Sequence, residues 1–193
     1  MDYRFLLTGI KNILFNPSRY WVKIDSENTP ILLIRNSLLL PLTLLVSVAA
    51  IAGSLIFINT ELSFVYSLFF GIRKLVVVLI TTYLAALILR ETTYPLDLGR
   101  SFKVAFRLVV FSIVPFLLCQ VLSSVFESLL FINILAFYGL YIFWTGAEVM
   151  LKPPQHKRIP LLVSSTVVFS AIYIAANIFM IMLSDRIYYS FFD

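Results

Sequence analysis

Long apolar stretches separated by short charged segments make up most of the chain. They cover Ser37–Ile58, Leu62–Leu89, Leu108–Phe126, Leu129–Met150 and Pro160–Leu183. A helix needs about 20 apolar residues to cross roughly 30 Å of hydrocarbon, and its backbone polar groups must be satisfied within the segment. The pattern therefore predicts an all-α integral membrane protein. Its bundle of five transmembrane helices is expected at about residues 37–58, 66–89, 106–126, 129–150 and 160–183.

The first 30 residues follow a different pattern, in which apolar side chains recur at helical spacing. These side chains are Tyr3, Leu6, Leu7, Ile10, Ile13 and Leu14, and Asn16-Pro17 ends the segment. Tyr20 and Trp21 then stand beside basic residues, which suits the headgroup layer. We predict an amphipathic arm over residues 1–30, either on the inner membrane surface or packed on the cytoplasmic ends of the bundle, and a membrane domain over residues 31–193.

Composition supports the membrane assignment and excludes several kinds of site. Hydrophobic residues make up 61% of the 193 and charged residues only 13%, too few to cover a soluble domain of this size. The single cysteine, Cys119, falls inside a predicted span, and the single histidine, His156, falls in a predicted loop. We therefore expect no metal site and no cofactor.

Basic residues are distributed unevenly between the two sides of the predicted spans. Most of the 15 lysines and arginines precede the first span, separate the second from the third, or separate the fourth from the fifth. The positive-inside rule then places the N-terminus in the cytoplasm and the C-terminus outside. The net charge of +5 is assigned to this topology and to contact with anionic headgroups. Nucleic-acid binding is not expected.

Two adjacent cations interrupt the second apolar stretch. Arg73 and Lys74 would lie about one turn inside the outer boundary if the span is counted back from Leu89. At that depth their long side chains can reach the headgroups by snorkelling. The alternative is a pair of buried cations facing a pore or substrate, because charges within the membrane often mark transport paths.

A second possible charge pair lies near the cytoplasmic ends of the third and fourth spans. Arg107 and Glu148 are each about one helical turn inside the boundary. Spans joined by a short loop usually pack as neighbours, and pairing lowers the cost of a charge in lipid. We predict a salt bridge between these residues, directly or through one polar group. The alternatives are snorkelling by both residues, or a proton or substrate carried at Glu148.

Polar and helix-breaking residues also occur within the spans. Pro115 frees the carbonyl of Phe111 and is expected to bend the third span, with Ser112 or a neighbouring helix satisfying freed backbone groups. On the fifth span one face is polar, and it comprises Thr166, Ser170, Tyr173 and Asn177. This stripe suits either a seam between helices or the wall of a cavity.

Catalytic motifs are missing from the sequence. It contains no Gly-x-Ser-x-Gly, no His-Glu-x-x-His and no glycine-rich phosphate loop. Its carboxylates are scattered, and only Glu148 lies well inside a span. We therefore predict that the protein is not an enzyme.

Several segments together resemble one known family. FKVAFRLVVFSIVPFLL is similar to the third-span region of the Yip family, the Ypt/Rab-interacting integral membrane proteins, at Phe111, Ser112 and Pro115. ILFNPSRYWVKI resembles the proline-containing segment before the family's first span. FYGLYIFWTGAEVMLKPPQHK resembles its fourth span, with Gly146 followed by a short basic loop. The long cytosolic domain and the Asp-Leu-Tyr-Gly-Pro motif of eukaryotic members are missing, so the chain looks like the bacterial branch.

The resemblance implies a small, non-enzymatic scaffold or interaction protein of the inner membrane, with a role in membrane organisation or trafficking. Its expected partners are the lipid bilayer, anionic headgroups at the cytoplasmic face, and other proteins or further copies of the chain. A partner of the Rab GTPase type is not carried over, because the segments associated with it are missing. The alternative function is a small oligomeric transporter or channel that uses the polar residues within the membrane. A continuous hydrated cavity lined by Asn133, Glu148 and Asn177 would favour that alternative.

Overall fold

Helices form the whole regular structure of the chain that is described. The computed structural model describes residues 3–57, 63–94, 98–99 and 101–192. Five helical segments in these ranges are long and apolar enough to cross a membrane. They are Ile31–Ile56, Phe64–Thr93, Phe102–Val125, Phe131–Met150 and Gln155–Ser184. The predicted class, an all-α integral membrane protein with five spanning helices, is confirmed.

The N-terminal arm consists of two helices. Helix α1 covers Tyr3–Phe15 and helix α2 covers Pro17–Ser26. Pro17 occupies the first turn of α2, where the backbone N–H that proline lacks would have no partner within the helix. Asn16 has a non-helical backbone between the two helices, as the Asn-Pro sequence predicts.

The first span changes its helical pitch near its start. Helix α3 covers Ile31–Ile34, a π-helical turn covers Arg35–Leu39, and helix α4 covers Leu40–Phe57. Pro41 explains the change, because it lacks the N–H that would bond to the carbonyl of Ser37 in a regular α-helix.

The second and third spans differ in continuity. Helix α5 runs without interruption over Ser63–Thr93. The third span divides into helix α6, Phe102–Ser112, and helix α7, Val114–Val125, and Pro115 lies in the first turn of α7. The proline therefore separates two helices, with Ile113 between them. The direction and size of the bend remain a prediction.

The fourth and fifth spans complete the bundle. A 3₁₀ segment over Glu127–Phe137 leads into helix α8, Tyr138–Met150, and helix α9 covers Gln155–Phe192. The fourth span therefore becomes α-helical only from Tyr138 onward. Helix α9 packs mainly along α5, and none of the residues in its most apolar stretch is buried. It is the most loosely packed of the five spans.

The core joins the arm to the bundle. Its largest fully buried side chains include Trp21 and Ile13 of the arm, and Arg107, Phe106 and Phe111 of α6. The arm therefore shares a packed interior with the spans. The division into an arm and a separate membrane domain remains a prediction.

Two glycines allow the backbones of different spans to meet. A Cβ on Gly53 of α4 would lie 1.7 Å from the carbonyl oxygen of Ser124 in α7. A Cβ on Gly139 of α8 would lie 2.3 Å from the carbonyl oxygen of Ser112. Small residues at such crossings let membrane helices approach closely, which is the main source of their packing energy.

Candidate functional site

Trp21 attaches the arm to the bundle. Its side chain is fully buried, and its indole Nε1–H donates to the backbone carbonyl of Ile142 at 3.0 Å. The ring meets Phe111 edge to face, with 5.4 Å between centroids. Gly146 provides the space, because a Cβ there would lie 2.5 Å from the indole. The sequence suggested the headgroup layer for Trp21, whereas the structure places it between α6 and α8.

The arm extends along one face of α8. Tyr138, Ile142 and Gly146 are four residues apart, so they lie on one side of that helix. The Tyr138 hydroxyl donates to the carbonyl of Leu14 at 2.8 Å, while Ile142 and Gly146 contact Trp21. Tyr138 is about 18 Å along the helix from its end at Met150. The turn between α1 and α2 therefore lies beside the middle of the fourth span.

The C-terminal end of α2 is attached to the start of the third span. The Nζ of Lys103 donates to Oδ1 of Asn28 at 2.6 Å. Arg107 is 2% exposed and donates to the carbonyl of Thr29 through Nε, at 3.1 Å, and through Nη2. Its Nη2 also lies 3.2 Å from Oδ1 of Asn28. These hydrogen bonds hold the C-terminal end of α2, the end of that helix away from the turn between α1 and α2.

The partners of Arg107 correct the predicted ion pair with Glu148. Within the described ranges, each of the two residues has a different partner. The Thr29 carbonyl is available to Arg107 because it precedes α3 and takes no part in the hydrogen bonds of that helix. Glu148 pairs with Arg158 instead, with Nη1 and Oε1 2.6 Å apart. The turn after α8 folds Arg158 back toward α8, where its Nε donates to the Pro153 carbonyl at 3.3 Å.

The Glu148–Arg158 pair is expected to contribute little to stability. Its side chains are 37% and 36% exposed, so water screens most of the attraction. We predict that Glu148→Gln lowers the free energy of unfolding in detergent by less than about 1 kcal/mol. Glu27→Gln, at the more exposed pair with Lys23, provides the matched control and should have a smaller effect. A loss above about 2 kcal/mol for Glu148→Gln would contradict this assignment.

Tyr20 gives the arm contact a pH dependence. Burial, with a smaller contribution from Glu27, raises the pKa of Tyr20 from 10.0 to about 12. Its ring packs edge to face on Phe111 at 5.5 Å. Below pH 10 the phenol is neutral in both the folded and the unfolded chain, so the contact keeps its full stability. Between pH 10 and about 12 only the unfolded chain ionises, and stability is lost.

We therefore predict a steeper fall in stability above pH 10 for the wild type than for Tyr20→Phe. The difference should reach about 1 kcal/mol at pH 11. Unfolding measured in detergent between pH 9 and pH 11 gives both slopes. Parallel slopes would show that Tyr20 does not couple ionisation to folding.

The arm also carries apolar and basic side chains on its free surface. Leu7, Phe15 and Val22 are exposed by 68%, 76% and 57%. Lys11 and Arg19 are exposed as well. This mixture is typical of helices that contact both acyl chains and headgroups.

Arg73 and Lys74 lie half-buried at the other end of the bundle. Lys74 Nζ donates to Gln120 Oε1 at 3.1 Å, and Gln120 Nε2 lies 3.5 Å from Asn133 Oδ1. Lys74 therefore points toward the third and fourth spans. The Arg73 guanidinium lies 4.8 Å from the ring centroid of Phe70, and its Nε is buried without a hydrogen-bond partner among the described residues.

A cavity of about 400 Å³ lies between the second, third, fourth and fifth spans. Most of its wall is apolar, from side chains such as Val109, Ile113, Phe116, Phe143 and Phe169. Gln120 and Asn133 line it too, and they connect it to Lys74 through the hydrogen bonds above.

The break between α6 and α7 borders this cavity, and Ser112 and Ile113 line the wall there. The Ser112 hydroxyl is buried without a hydrogen-bond partner in the part of the chain described. The Ser112 side chain therefore does not satisfy the freed backbone groups.

The predicted polar stripe falls partly on this cavity. Thr166, Ser170 and Tyr173 line it, and the Tyr173 ring packs edge to face on Phe116 at 5.3 Å. Asn177 and Glu148 are not part of the wall. The Thr166 hydroxyl donates to the Leu162 carbonyl of its own helix. The stripe thus borders an apolar cavity that the sequence indicated only as one of two possibilities.

Metal binding finds no support among the residues that the structure describes. No group of three or more histidine, cysteine, aspartate or glutamate side chains is placed to hold an ion there.

The sequence did not predict two close contacts between helices. They are the contact of Trp21 with Gly146 and the contact of Gly53 with Ser124. Glycine within an apolar helix was the one available signal for both.

Comparison with known proteins identifies the family. The sequence model of the Yip1 domain matches residues 11–178. Neither a curated protein nor a solved structure matches the chain. The matched residues extend from the first arm helix into α9 and cover most of the chain. The chain therefore belongs to the Yip1 domain family.

Proposed function

We propose that the protein is a non-enzymatic membrane scaffold that organises lipids and partner proteins around its N-terminal arm. One observation carries the proposal: the arm lies along the Tyr138–Ile142–Gly146 face of α8, attached through Trp21 and Leu14. A helix pair in that position displaces lipid from one leaflet. It acts as a fixed, shaped part of the membrane domain.

The exposed side chains of the arm define what it would organise. Leu7, Phe15 and Val22 would contact acyl chains. Lys11 and Arg19 would draw phosphate groups toward the arm, because charged side chains in the membrane snorkel and thin the bilayer locally. The positive-inside rule favours the cytoplasmic leaflet of the inner membrane, with the C-terminus outside. Anionic lipids are then the expected neighbours.

Family membership supports the class of function. The Yip1 domain covers the arm from Lys11 onward together with the spans, which supports a function that uses the arm and the bundle together. Further copies of the chain or other membrane proteins would pack against the exposed faces of α4 and α9.

Lipid enrichment around the arm tests the proposal. The full chain with a donor dye on a cysteine at Ser26 is reconstituted in vesicles that contain headgroup-labelled phosphatidylglycerol or phosphatidylcholine. Energy transfer should be several-fold higher with phosphatidylglycerol. Arg19→Gln should lower this preference by about fivefold, since one cation near an anionic surface contributes about that factor.

Arg186→Gln is the matched control for that experiment. It removes the same charge from an exposed residue of α9 and should leave the preference unchanged. Equal transfer from both lipids, or equal effects of the two substitutions, would contradict the proposal.

The transporter alternative is supported by the polar end of the cavity, at Gln120 and Asn133. The largely apolar wall favours a lipid-like occupant over a continuous hydrated path. Glu148 and Asn177 lie outside that wall. We therefore expect solute leakage from proteoliposomes to be the same for the wild type and for Asn133→Leu. Leakage that Asn133→Leu abolishes would favour transport.

A further inference from the structure

We propose that the cavity between the second, third, fourth and fifth spans binds one acyl chain of an anionic phospholipid, whose phosphate lies next to Lys74. This site is separate from the arm, and it does not depend on the function proposed for the arm. The argument rests on the size, wall and polar end of the cavity.

The size and wall of the cavity suit a hydrocarbon chain. Its volume of about 400 Å³ falls within the range of sites for small molecules, roughly 300–1,000 Å³. Its wall extends along the third span from Val109 to Gln120, which is about 16 Å at the rise of a helix. That length is close to half of the roughly 30 Å hydrocarbon core, the depth of one leaflet.

The loose packing of α9 gives a lipid access to the cavity. Helix α9 packs mainly along α5 and much less along α8. Ser170 and Ile174 line the cavity and are also exposed at the surface of the bundle. The cavity is therefore bordered by side chains that face the surrounding lipid, and an acyl chain can enter sideways.

The two carboxamides of the wall, and the cation beside them, lie at one end of the cavity. Gln120 and Asn133 lie where the third and fourth spans meet, and Lys74 reaches Gln120 from α5. Lys74 donates to the neutral amide of Gln120, so its positive charge is not neutralised by this partner. A phosphate at this end would supply the negative charge, and the carboxamides would donate to ester or phosphate oxygens. Charge complementarity therefore favours an anionic phospholipid over a neutral one.

Photocrosslinking tests the site directly. The full chain is reconstituted in vesicles with a phosphatidylglycerol that carries a diazirine at the end of one acyl chain, and labelled residues are mapped by mass spectrometry. We expect labels on wall residues at the end of the cavity away from Lys74, such as Val109 and Phe143. Labels confined to lipid-facing residues outside the cavity, such as Val48 or Phe179, would show ordinary annular lipid and overturn the proposal.

Two substitutions and their controls separate filling of the cavity from recognition of the headgroup. Ser170→Trp fills the cavity and should lower labelling of the wall by about tenfold, whereas Ala171→Trp, at the adjacent exposed residue, should not. Lys74→Gln should lower the preference of wall labelling for phosphatidylglycerol over phosphatidylcholine by about fivefold, whereas Arg186→Gln, at an exposed cation of α9, should leave it unchanged.

Each of these outcomes tests the lipid site in the cavity and not the function proposed for the arm. Wall labelling that survives Ser170→Trp, or a headgroup preference that survives Lys74→Gln, would overturn the proposal. If a variant fails to fold, the residues labelled in the wild-type chain still distinguish a lipid in the cavity from annular lipid. Because the arm experiment reads lipid around Arg19, the two proposals can fail separately.

Discussion

Replacing Trp21 with alanine is expected to detach the arm and to cause the largest loss of stability of any single substitution considered. The indole is fully buried, packs on Phe111 and donates to the Ile142 carbonyl. Removing a buried tryptophan side chain costs about 3–5 kcal/mol, because the cavity that remains cannot collapse fully. Unfolding of the full chain in detergent micelles measures the loss, and protease sensitivity of the α1–α2 turn reports detachment.

Trp21→Phe separates the two contributions of the side chain. Phenylalanine keeps much of the packing and removes the indole donor, while the Ile142 carbonyl still accepts from the Thr145 hydroxyl at 3.0 Å. We therefore expect a smaller loss, about 0.5–1.5 kcal/mol, the net contribution of one hydrogen bond. Val22→Ala, at the neighbouring exposed residue, is the control and should change stability by less than about 0.5 kcal/mol. If Trp21→Ala behaved like Val22→Ala, the arm would not be packed as described.

Gly53→Ala is expected to destabilise the contact between the first and third spans. The added Cβ would lie 1.7 Å from the carbonyl oxygen of Ser124, a backbone atom that cannot rotate away. Helix propensity alone predicts the opposite sign, a gain of about 1 kcal/mol for alanine over glycine. We expect the clash to dominate and the free energy of unfolding to fall by about 1–3 kcal/mol.

Ala52 provides the matched position for this test. It is the preceding residue on α4 and is exposed, so Ala52→Val adds volume that meets lipid and not another helix. Its effect should stay below about 0.5 kcal/mol. Stabilisation by Gly53→Ala would mean that the two spans are farther apart than the structure places them.

Hydrophobic patterning predicted the spans well because each one must carry its own apolar surface and its own backbone hydrogen bonds. It could not predict which polar groups meet. Arg107 donates to the Thr29 carbonyl because the segment Asn28–Pro30 brings that carbonyl next to α6. Glu148 pairs with Arg158 because the segment Lys152–Pro154 turns the chain back toward α8. A count of depth along a helix contains no information on such turns.

Trp21 shows the same limit for packing. An aromatic residue between cations is typical of the membrane interface. A glycine within an apolar helix indicated a close approach at Gly146, but it did not indicate that the partner is Trp21, far away in the chain. The cavity likewise depends on the separation of α8 and α9. The polar stripe on α9 was visible in the sequence, but the space beside it was not.

The depth profile of α2 tests the central claim most directly. Nitroxide labels are placed at Ser18 and Ser26, two exposed serines near opposite ends of that helix, in the full chain reconstituted in bilayers. Collision with oxygen and with a water-soluble nickel complex then reports the depth of each label. An arm that lies along α8 places Ser18 deeper than Ser26, by up to about 12 Å at the rise of a helix. Equal depths for the two labels would show an arm lying flat on the membrane and would contradict the account.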